Sequence, residues 1–228
     1  VRTTDLERAV EGTDYIVTQI RAGKLEARIR DEKIPLQFGL VGQETTGIGG
    51  FTNALRTIPQ IERIAKAVEQ CAPDAWLVNF TNPSGIITEY LLGHTKVKAV
   101  GLCNLPIGAQ ERIAGLLNVP MDSVRLETVS LNHCGAITAA YVDGRNVLPE
   151  LLKPDSLDAA AEKVDWVRLY RPIIELLGAI PNDYLQYYFF RDRKLQEFLA
   201  AEQTRGEVCK DIEIRLLSYY ADLRNVTV

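Results

Sequence analysis

Ala75-Trp76-Leu77-Val78-Asn79-Phe80-Thr81-Asn82-Pro83-Ser84 is the stretch whose reading decides the fold. Its first half is an apolar run of strand length; its second half is polar, with Pro83 where a helix can begin. The predicted strand therefore ends on Asn and Thr side chains, with helical N–H groups opening beside them. Asn82 is either an N-cap for the helix that follows or a ligand-binding side chain, and the two roles are compatible.

The same alternation extends in both directions. Upstream, Asp5 to Val10 predicts a helix and Asp14 to Ile20 a buried strand. Ile58, Ile61, Ile64, Ala65 and Val68 recur at helical spacing behind Pro59, a residue tolerated in a first turn. Downstream come a helix over Pro83–Leu92, a strand over Val97–Leu102 and a helix over Pro106–Leu117. Strands alternating with helices predict βαβ units on a parallel sheet, an α/β fold. Ligands collect at the carboxyl ends of such strands. The polar clusters Arg21 to Lys24, Thr81-Asn82-Pro83, Cys103-Asn104 and Asn132-His133 are assigned there.

Beyond them the pattern changes. Ala136 to Val147 alternates apolar and polar residues around Asp143-Gly144, the signal of a tight hairpin. From Leu157 onward the chain predicts helices, with Pro172 and Pro181 as breaks and an apolar helical tail over Lys194–Leu223 that suits a core or an interface. The expected organisation is a partial Rossmann-like, doubly wound domain over residues 1–124. A mixed α+β hairpin-and-helix substrate domain over 125–228 follows without a flexible linker. No GxGxxG follows a first strand, so the amino-terminal unit that would cradle a dinucleotide pyrophosphate is expected outside these residues.

A chain of 228 residues can bury a sizeable core. Its 46% apolar and 25% charged content and formal charge of −4 argue against disorder and against a basic nucleic-acid surface. With no apolar run of membrane-span length and no signal-peptide pattern, the expectation is a cytoplasmic protein without nucleic-acid or membrane partners. The 4 cysteines show no CxxC spacing and are expected as reduced thiols. Cys71 and Cys209 are expected as small buried hydrophobes; Cys134 stays open.

Cys103 and His133 each follow an apolar run that predicts a buried strand. A thiolate and an imidazole on neighbouring strand ends can converge on one divalent metal; the alternative is a core thiol and a structural imidazole. Gly42 to Gly50 is too rich in Gly and Thr for a helix or strand interior, and predicts a loop. Glu44 within it is either a base or pKa-tuning group, or a solvated carboxylate. Leu25 to Lys33 concentrates charge before Ile34-Pro35. A solvated helix face is the favoured reading, with an anion clamp by Arg28 or Arg30 as the alternative. In Asp183 to Phe190, Tyr188 and Phe189 are expected in the core. A phenol beside a divalent cation would instead have a lowered pKa and be a candidate base.

Taken together, in this order and spacing, these motifs resemble the NAD- and divalent-metal-dependent glycoside hydrolases of family 4, especially the 6-phospho-β-glucosidases. The resemblance implies that Cys103 and His133 ligate a metal, usually Mn²⁺, and that Arg28, Asn82 and Asn104 contact a phosphorylated sugar. Tyr184 matches the catalytic tyrosine, with Tyr187 as the other possible match, and Glu44 a residue that raises its basicity. The residues that hold NAD are unknown. Asn104 stands where α-cleaving members tend to have Asp, which favours the β anomer. The implied reaction is redox-assisted elimination, outside the two-carboxylate scheme. Its substrate would be a phosphorylated disaccharide or aryl glucoside, and its assembly a homodimer or tetramer. Alternatives are a 6-phospho-α-glucosidase or α-galactosidase of the same family, a lactate- or malate-type dehydrogenase relative, a class that needs a His paired with a carboxylate whereas His94 lies in a plain turn, and a non-catalytic remnant or binding module. The resemblance also implies a further carboxyl-terminal portion, expected beyond Asn225-Val226-Thr227-Val228. One departure is Cys134-Gly135-Ala136 after His133, where an aromatic is common.

Overall fold

The computed structural model describes residues 2–222. In chain order the elements are α1 (Leu6–Val10), β1 (Tyr15–Thr18), α2 (Lys24–Leu36), α3 (Gly47–Cys71), β2 (Trp76–Asn79), α4 (Ser84–His94), β3 (Lys98–Gly101) and α5 (Leu105–Leu117). There follow β4 (Val124–Leu131), β5 (Cys134–Val142), β6 (Arg145–Asn146), α6 (Leu148–Leu151), α7 (Pro154–Lys163), α8 (Asp165–Leu177), β7 (Ile180–Pro181), α9 (Gln186–Phe189), α10 (Arg191–Ala200) and α11 (Arg205–Ala221). No helix among the described residues is long and apolar enough to cross a membrane. They form two compact units: one runs to Leu102 and resumes at Arg191, and the other is Cys103–Phe190. These units divide the chain differently from a boundary at 124/125, because α5 joins the second and α10 and α11 return to the first.

The first unit is a Rossmann-like parallel layer. β1, β2 and β3 pair in parallel in that order, aligning Ile16 with Leu77 and Ala99, and Thr18 with Asn79 and Gly101. Leu77 is fully buried with Ile61 and Val68 of α3 and Ile87 and Leu91 of α4. Truncating one such Leu to Ala costs about 2–5 kcal/mol. Alternation sends Tyr15, Val17 and Trp76 to the opposite face, where they are exposed, Tyr15 by 72%. The strand predicted over Asp14–Ile20 is thus a half-covered edge and not a buried strand. Its carboxyl end is stitched by polar groups. The Thr18 hydroxyl donates to Asn79 Oδ1 at 2.9 Å, Asn79 Nδ2 to the Thr81 carbonyl, and the Ile20 N–H to Thr81 Oγ1.

Proline positions correct the sequence reading twice. α3 starts at Gly47, so Pro59 lies in its interior and not in a first turn, and Pro172 lies inside α8 instead of breaking it. Each proline removes one intrahelical N–H. The burial of Ile61, Ala65 and Val68, and of Tyr170 and Ile174, holds the helices together across those gaps.

In the second unit β5 is central, antiparallel to β4, β6 and β7. The predicted hairpin at Asp143-Gly144 is present, with both residues at positive φ, as a two-residue turn of this kind needs. The main partner of β5 is β4, joined to it through a second tight turn at Asn132-His133. β4 is not the buried strand predicted before His133: Leu131 is 79% exposed. α5 packs on β4, and Ile113, Val124, Ile137, Ala140 and Leu148 form the core beneath them. Toward the carboxyl end, α10 and α11 replace a continuous tail and are separated by a Thr204–Glu207 capping box. The tail's predicted end at Leu223 lies outside the described residues.

Candidate functional site

Two sets of candidate residues are brought together, one within each unit. In the first unit Arg28 projects from α2 into a charge cluster. Its Nε donates to Glu32 Oε1 at 2.8 Å, one turn further along the helix, and its Nη1 lies 3.2 Å from Glu44 Oε1. Arg21, just past β1, donates to the other Glu44 oxygen at 2.6 Å. Glu32 Oε2 accepts the Gly206 N–H at 2.7 Å, and Cys209 Sγ lies 3.8 Å from Arg28 Nη1. Burial works against the charge on Arg28, but the Glu32 hydrogen bond and the field of Glu44 outweigh it, and the guanidinium pKa rises.

The favoured reading of Arg28 on a solvated helix face is therefore corrected, since its side chain is 12% exposed. Its partner on α11, Cys209, lies 181 positions away, beyond any local periodicity. Arg30, the other residue of that reading, is exposed. Glu44 is no solvated carboxylate either. Asn53 Nδ2 fixes its carbonyl, and Gln43 Oε1 accepts the backbone N–H groups of Thr45 and Thr46. Gly42 is required here, because a Cβ would sit 1.7 Å from the Glu32 carbonyl oxygen. Cys209, expected in the core, is half-buried against Arg28. At the start of α4 the cap position belongs to Pro83, so Asn82 does not cap the helix. Asn82 is partly exposed, and its amide makes no hydrogen bond among the described residues.

The second unit assembles Cys103, His133 and Tyr184. Cys103 precedes α5, and Asn104 occupies the exposed cap position without a side-chain cap bond. His133 sits in the β4–β5 turn at φ 62°, 9% exposed, and not on a parallel-sheet strand end. Cys103 Sγ and His133 Nε2 are 3.5 Å apart. Two donors with metal bonds of about 2.3 and 2.1 Å can span that distance on one ion. No group of three or more His, Cys, Asp or Glu suited to a metal occurs among the described residues.

Tyr184 stacks on His133, with ring centroids 3.8 Å apart and an interplanar angle of 18°. It belongs to a single 3₁₀ turn, Asp183–Leu185, where Asn182 Oδ1 accepts the Tyr184 N–H at 2.9 Å. β7 brings that turn to the β4–β5 corner, and the Asn182 N–H donates to the Gly135 carbonyl at 2.8 Å. Tyr187 meets Tyr184 edge-on at 5.5 Å. Tyr188 and Phe189 are exposed, against expectation, because the short α9 turns Tyr187 and Phe190 inward instead. His94 is exposed and stacks on Tyr90, with no carboxylate partner among the described residues.

Sequence reasoning does not single out Glu32, Arg112 or Asp183, and it places Arg21 only within the polar cluster Arg21 to Lys24 at a strand end. Arg21 carried a usable signal, its place just past a strand end. Arg112 and Asp183 are identified only by each other, distant in sequence, and Glu32 by Arg28 one turn away together with the distant Gly206.

The described residues thus combine a parallel βα layer with a polar carboxyl edge in one unit and a thiol–imidazole pair stacked with a tyrosine in the other. The family 4 glycosyl hydrolase model matches residues 1–119, and the model of that family's C-terminal domain matches residues 129–227. The chain belongs to family 4 of the glycosyl hydrolases. It is 40% identical to a Bacillus subtilis (strain 168) protein named probable 6-phospho-beta-glucosidase, over 96% of this chain and 51% of that one. It is 37% identical to the Escherichia coli (strain K12) 6-phospho-beta-glucosidase, again over 96% of this chain and 51% of the relative. A Thermotoga maritima 6-phospho-beta glucosidase structure with manganese, NAD⁺ and glucose-6-phosphate superposes with a TM-score of 0.83 at 32% identity. It covers 99% of this chain and 53% of that one. The chain thus spans about half the length of the curated relatives it matches.

Proposed function

We propose that the protein carrying this chain hydrolyses 6-phospho-β-glucosides by oxidation-assisted elimination. The observation that carries the reading is the Cys103–His133 pair, 3.5 Å apart beneath the Tyr184 ring. Cys103 and His133 would hold a divalent ion, Mn²⁺ by analogy with relatives. The carboxyl edge of β1–β3 is where an open parallel sheet receives a dinucleotide, here NAD⁺. When bound, NAD⁺ supplies reversible hydride removal at C3 of the sugar, and the ion supplies charge stabilisation for the C2 and C3 oxygens.

Within that reading Tyr184 removes the C2 proton, made acidic by the C3 carbonyl, so that the C1–O bond breaks and the aglycone leaves as its protonated alcohol. Water then adds across the C1–C2 double bond, its hydroxyl to C1 and its proton to C2, and the hydride taken from C3 is returned there. Asn104 orients a sugar hydroxyl. Arg28 and Asn82 hold the 6-phosphate, a charge-assisted contact for which a forked guanidinium is suited. Glu44 accepts from both arginines and so aligns them; the family resemblance adds a role in raising the basicity of Tyr184. The physiological substrate would be a phosphorylated disaccharide or aryl glucoside, cleaved in the cytoplasm by a homodimer or tetramer.

The test is nitrophenol release from nitrophenyl 6-phospho-β- and 6-phospho-α-glucosides by the full-length protein, with and without NAD⁺ and Mn²⁺. Cleavage of the β substrate that requires both additions is expected. Cleavage indifferent to either would remove the mechanism, and preference for the α substrate would move the specificity to the other anomer.

A further inference from the structure

The turn that carries Tyr184 is only one 3₁₀ turn, a form with poor intrinsic stability. Its backbone is nevertheless tied down at successive residues. The Tyr170 hydroxyl, on a side chain buried in α8, donates to the carbonyls of Asn182 and Asp183 at 3.4 and 3.2 Å. The Asp183 carboxylate, immediately before Tyr184, meets Arg112 Nη1 at 2.7 Å. Arg112 belongs to α5, the helix that begins just after Cys103, and its guanidinium lies 5.7 Å from the Trp166 ring centroid. These links form a closed circuit. The thiol end of α5 reaches His133 at 3.5 Å, His133 carries Tyr184 by stacking, and the residue before Tyr184 returns to α5 through the ion pair.

A circuit of this kind fixes the phenol on two sides. Stacking alone lets one ring slide over another at little cost, because offset arrangements are comparably favourable. Anchoring the preceding residue removes that freedom. The pair is also costly to break, since Asp183 is largely buried and a lone carboxylate left there would be poorly solvated.

We propose that Arg112 and Asp183 are positioning residues, whose ion pair sets the Tyr184 phenol over His133 and thereby the efficiency of C2 proton removal. Neither residue is assigned a contact with substrate. The inference rests on Tyr184 being the base of the proposed reaction.

The experiment uses the full-length protein with NAD⁺ and Mn²⁺, and compares Arg112→Met, Arg112→Lys, Asp183→Asn and the exchange Arg112→Asp/Asp183→Arg. Each is assayed on nitrophenyl 6-phospho-β-glucoside carrying hydrogen or deuterium at C2, alongside a thermal melt. A misplacement of about 1 Å can cost about a hundredfold in rate. The expected result for Arg112→Met and Asp183→Asn is kcat lowered about ten- to a hundredfold with KM within about twofold. The C2 isotope effect should rise above the wild-type value, because proton removal becomes slower. Arg112→Lys or the exchange should recover part of kcat.

Melting as cooperatively as the wild type with unchanged kcat and isotope effect would overturn the proposal. So would a loss confined to KM, or one that follows the folded fraction with the isotope effect constant. If the wild-type protein needs neither NAD⁺ nor Mn²⁺ and shows no C2 effect in any variant, the proposed reaction itself fails. That outcome is distinct from failure of the positioning inference alone.

Discussion

Arg21, Arg28, Glu32 and Glu44 in the first unit are four charges that neutralise one another at hydrogen-bond distance, whereas Cys103, His133 and Tyr184 in the second depend on spacing and stacking with little fixed charge. The contrast separates two ways of holding a polar group ready. In the charge cluster each guanidinium is aligned by the carboxylates that also compensate its burial, so position and stability are coupled. In the other set the geometry rests on shape, with the Tyr184 ring stacked on His133 and the Cys103 thiol 3.5 Å from that imidazole. Deletions in the first cluster should therefore affect both affinity and stability, and deletions in the second should affect rate and metal dependence more than stability.

The largest expected effect belongs to the second set. Tyr184→Phe keeps the stacked ring and removes only the hydroxyl. A lost general base typically costs about 10²–10⁴-fold, so kcat in the full-length protein should fall by that order while the melting temperature stays nearly unchanged. Tyr187→Phe should leave kcat within about twofold, since the loss of a nearby edge contact moves the reacting atom little. A reversal of the two results would transfer the base to Tyr187. A drop in melting temperature for Tyr184→Phe would break the contrast itself.

Arg28→Gln should come next, with mixed consequences. A charge-assisted hydrogen bond contributes about 1.5–3 kcal/mol, so kcat/KM for the 6-phosphorylated substrate should fall about ten- to a hundredfold. An unphosphorylated glucoside should be insensitive. The variant should also melt at a lower temperature, because Glu32 and Glu44 each lose a partner. Lower kcat/KM with unchanged melting would mean that the cluster is not stabilised by its pairing. Equal losses on both substrates would remove Arg28 from the phosphate contact.

How much of this could be read from the chain follows the same division. Strands and helices of the parallel layer were legible because Leu77, Val78 and the Ile61–Val68 spacing carry local periodicity. The closeness of Cys103 and His133, 3.5 Å apart, is legible because both are chemically rare residues next to Asn. What failed depended on distance or on turn chemistry. The charge run on α2 shows no sign of burial until α11 returns over it, bringing Gly206 and Cys209 from more than 170 positions away. His133 was assigned to a strand end because Asn-His lacks the Gly that usually marks a two-residue turn. His can adopt the positive φ found there, at more cost than Gly. Gly47 to Gly50 was assigned to a loop although the helix begins at Gly47. Gly49 and Gly50 serve close packing there, since a Cβ on either would lie less than 3 Å from loop backbone atoms.

The smallest expected effect tests Asp183, a carboxylate of the second unit whose burial its pairing does not fully compensate. Burial raises the pKa of Asp183, and the charge and hydrogen bond of Arg112 only partly oppose it. The folded state therefore binds that proton more tightly than the unfolded chain, whose carboxylate keeps a value near 3.8. The Asp183 contribution is fully present below that value and is lost as pH rises through the elevated folded pKa. Glu197 and Glu207 have the opposite sign: hydrogen bonds from Lys194 and Lys33 depress their pKa values, and their contributions are lost as pH falls. Subtracting the stability of Asp183→Asn from that of the wild type, by urea titration between about pH 3 and 6 where carboxylates ionise, cancels those common contributions. The difference should decline as pH rises and then level off. A difference that grows with pH would mean that Arg112 outweighs burial, and that the second unit compensates its buried charge as fully as the Arg28 cluster does.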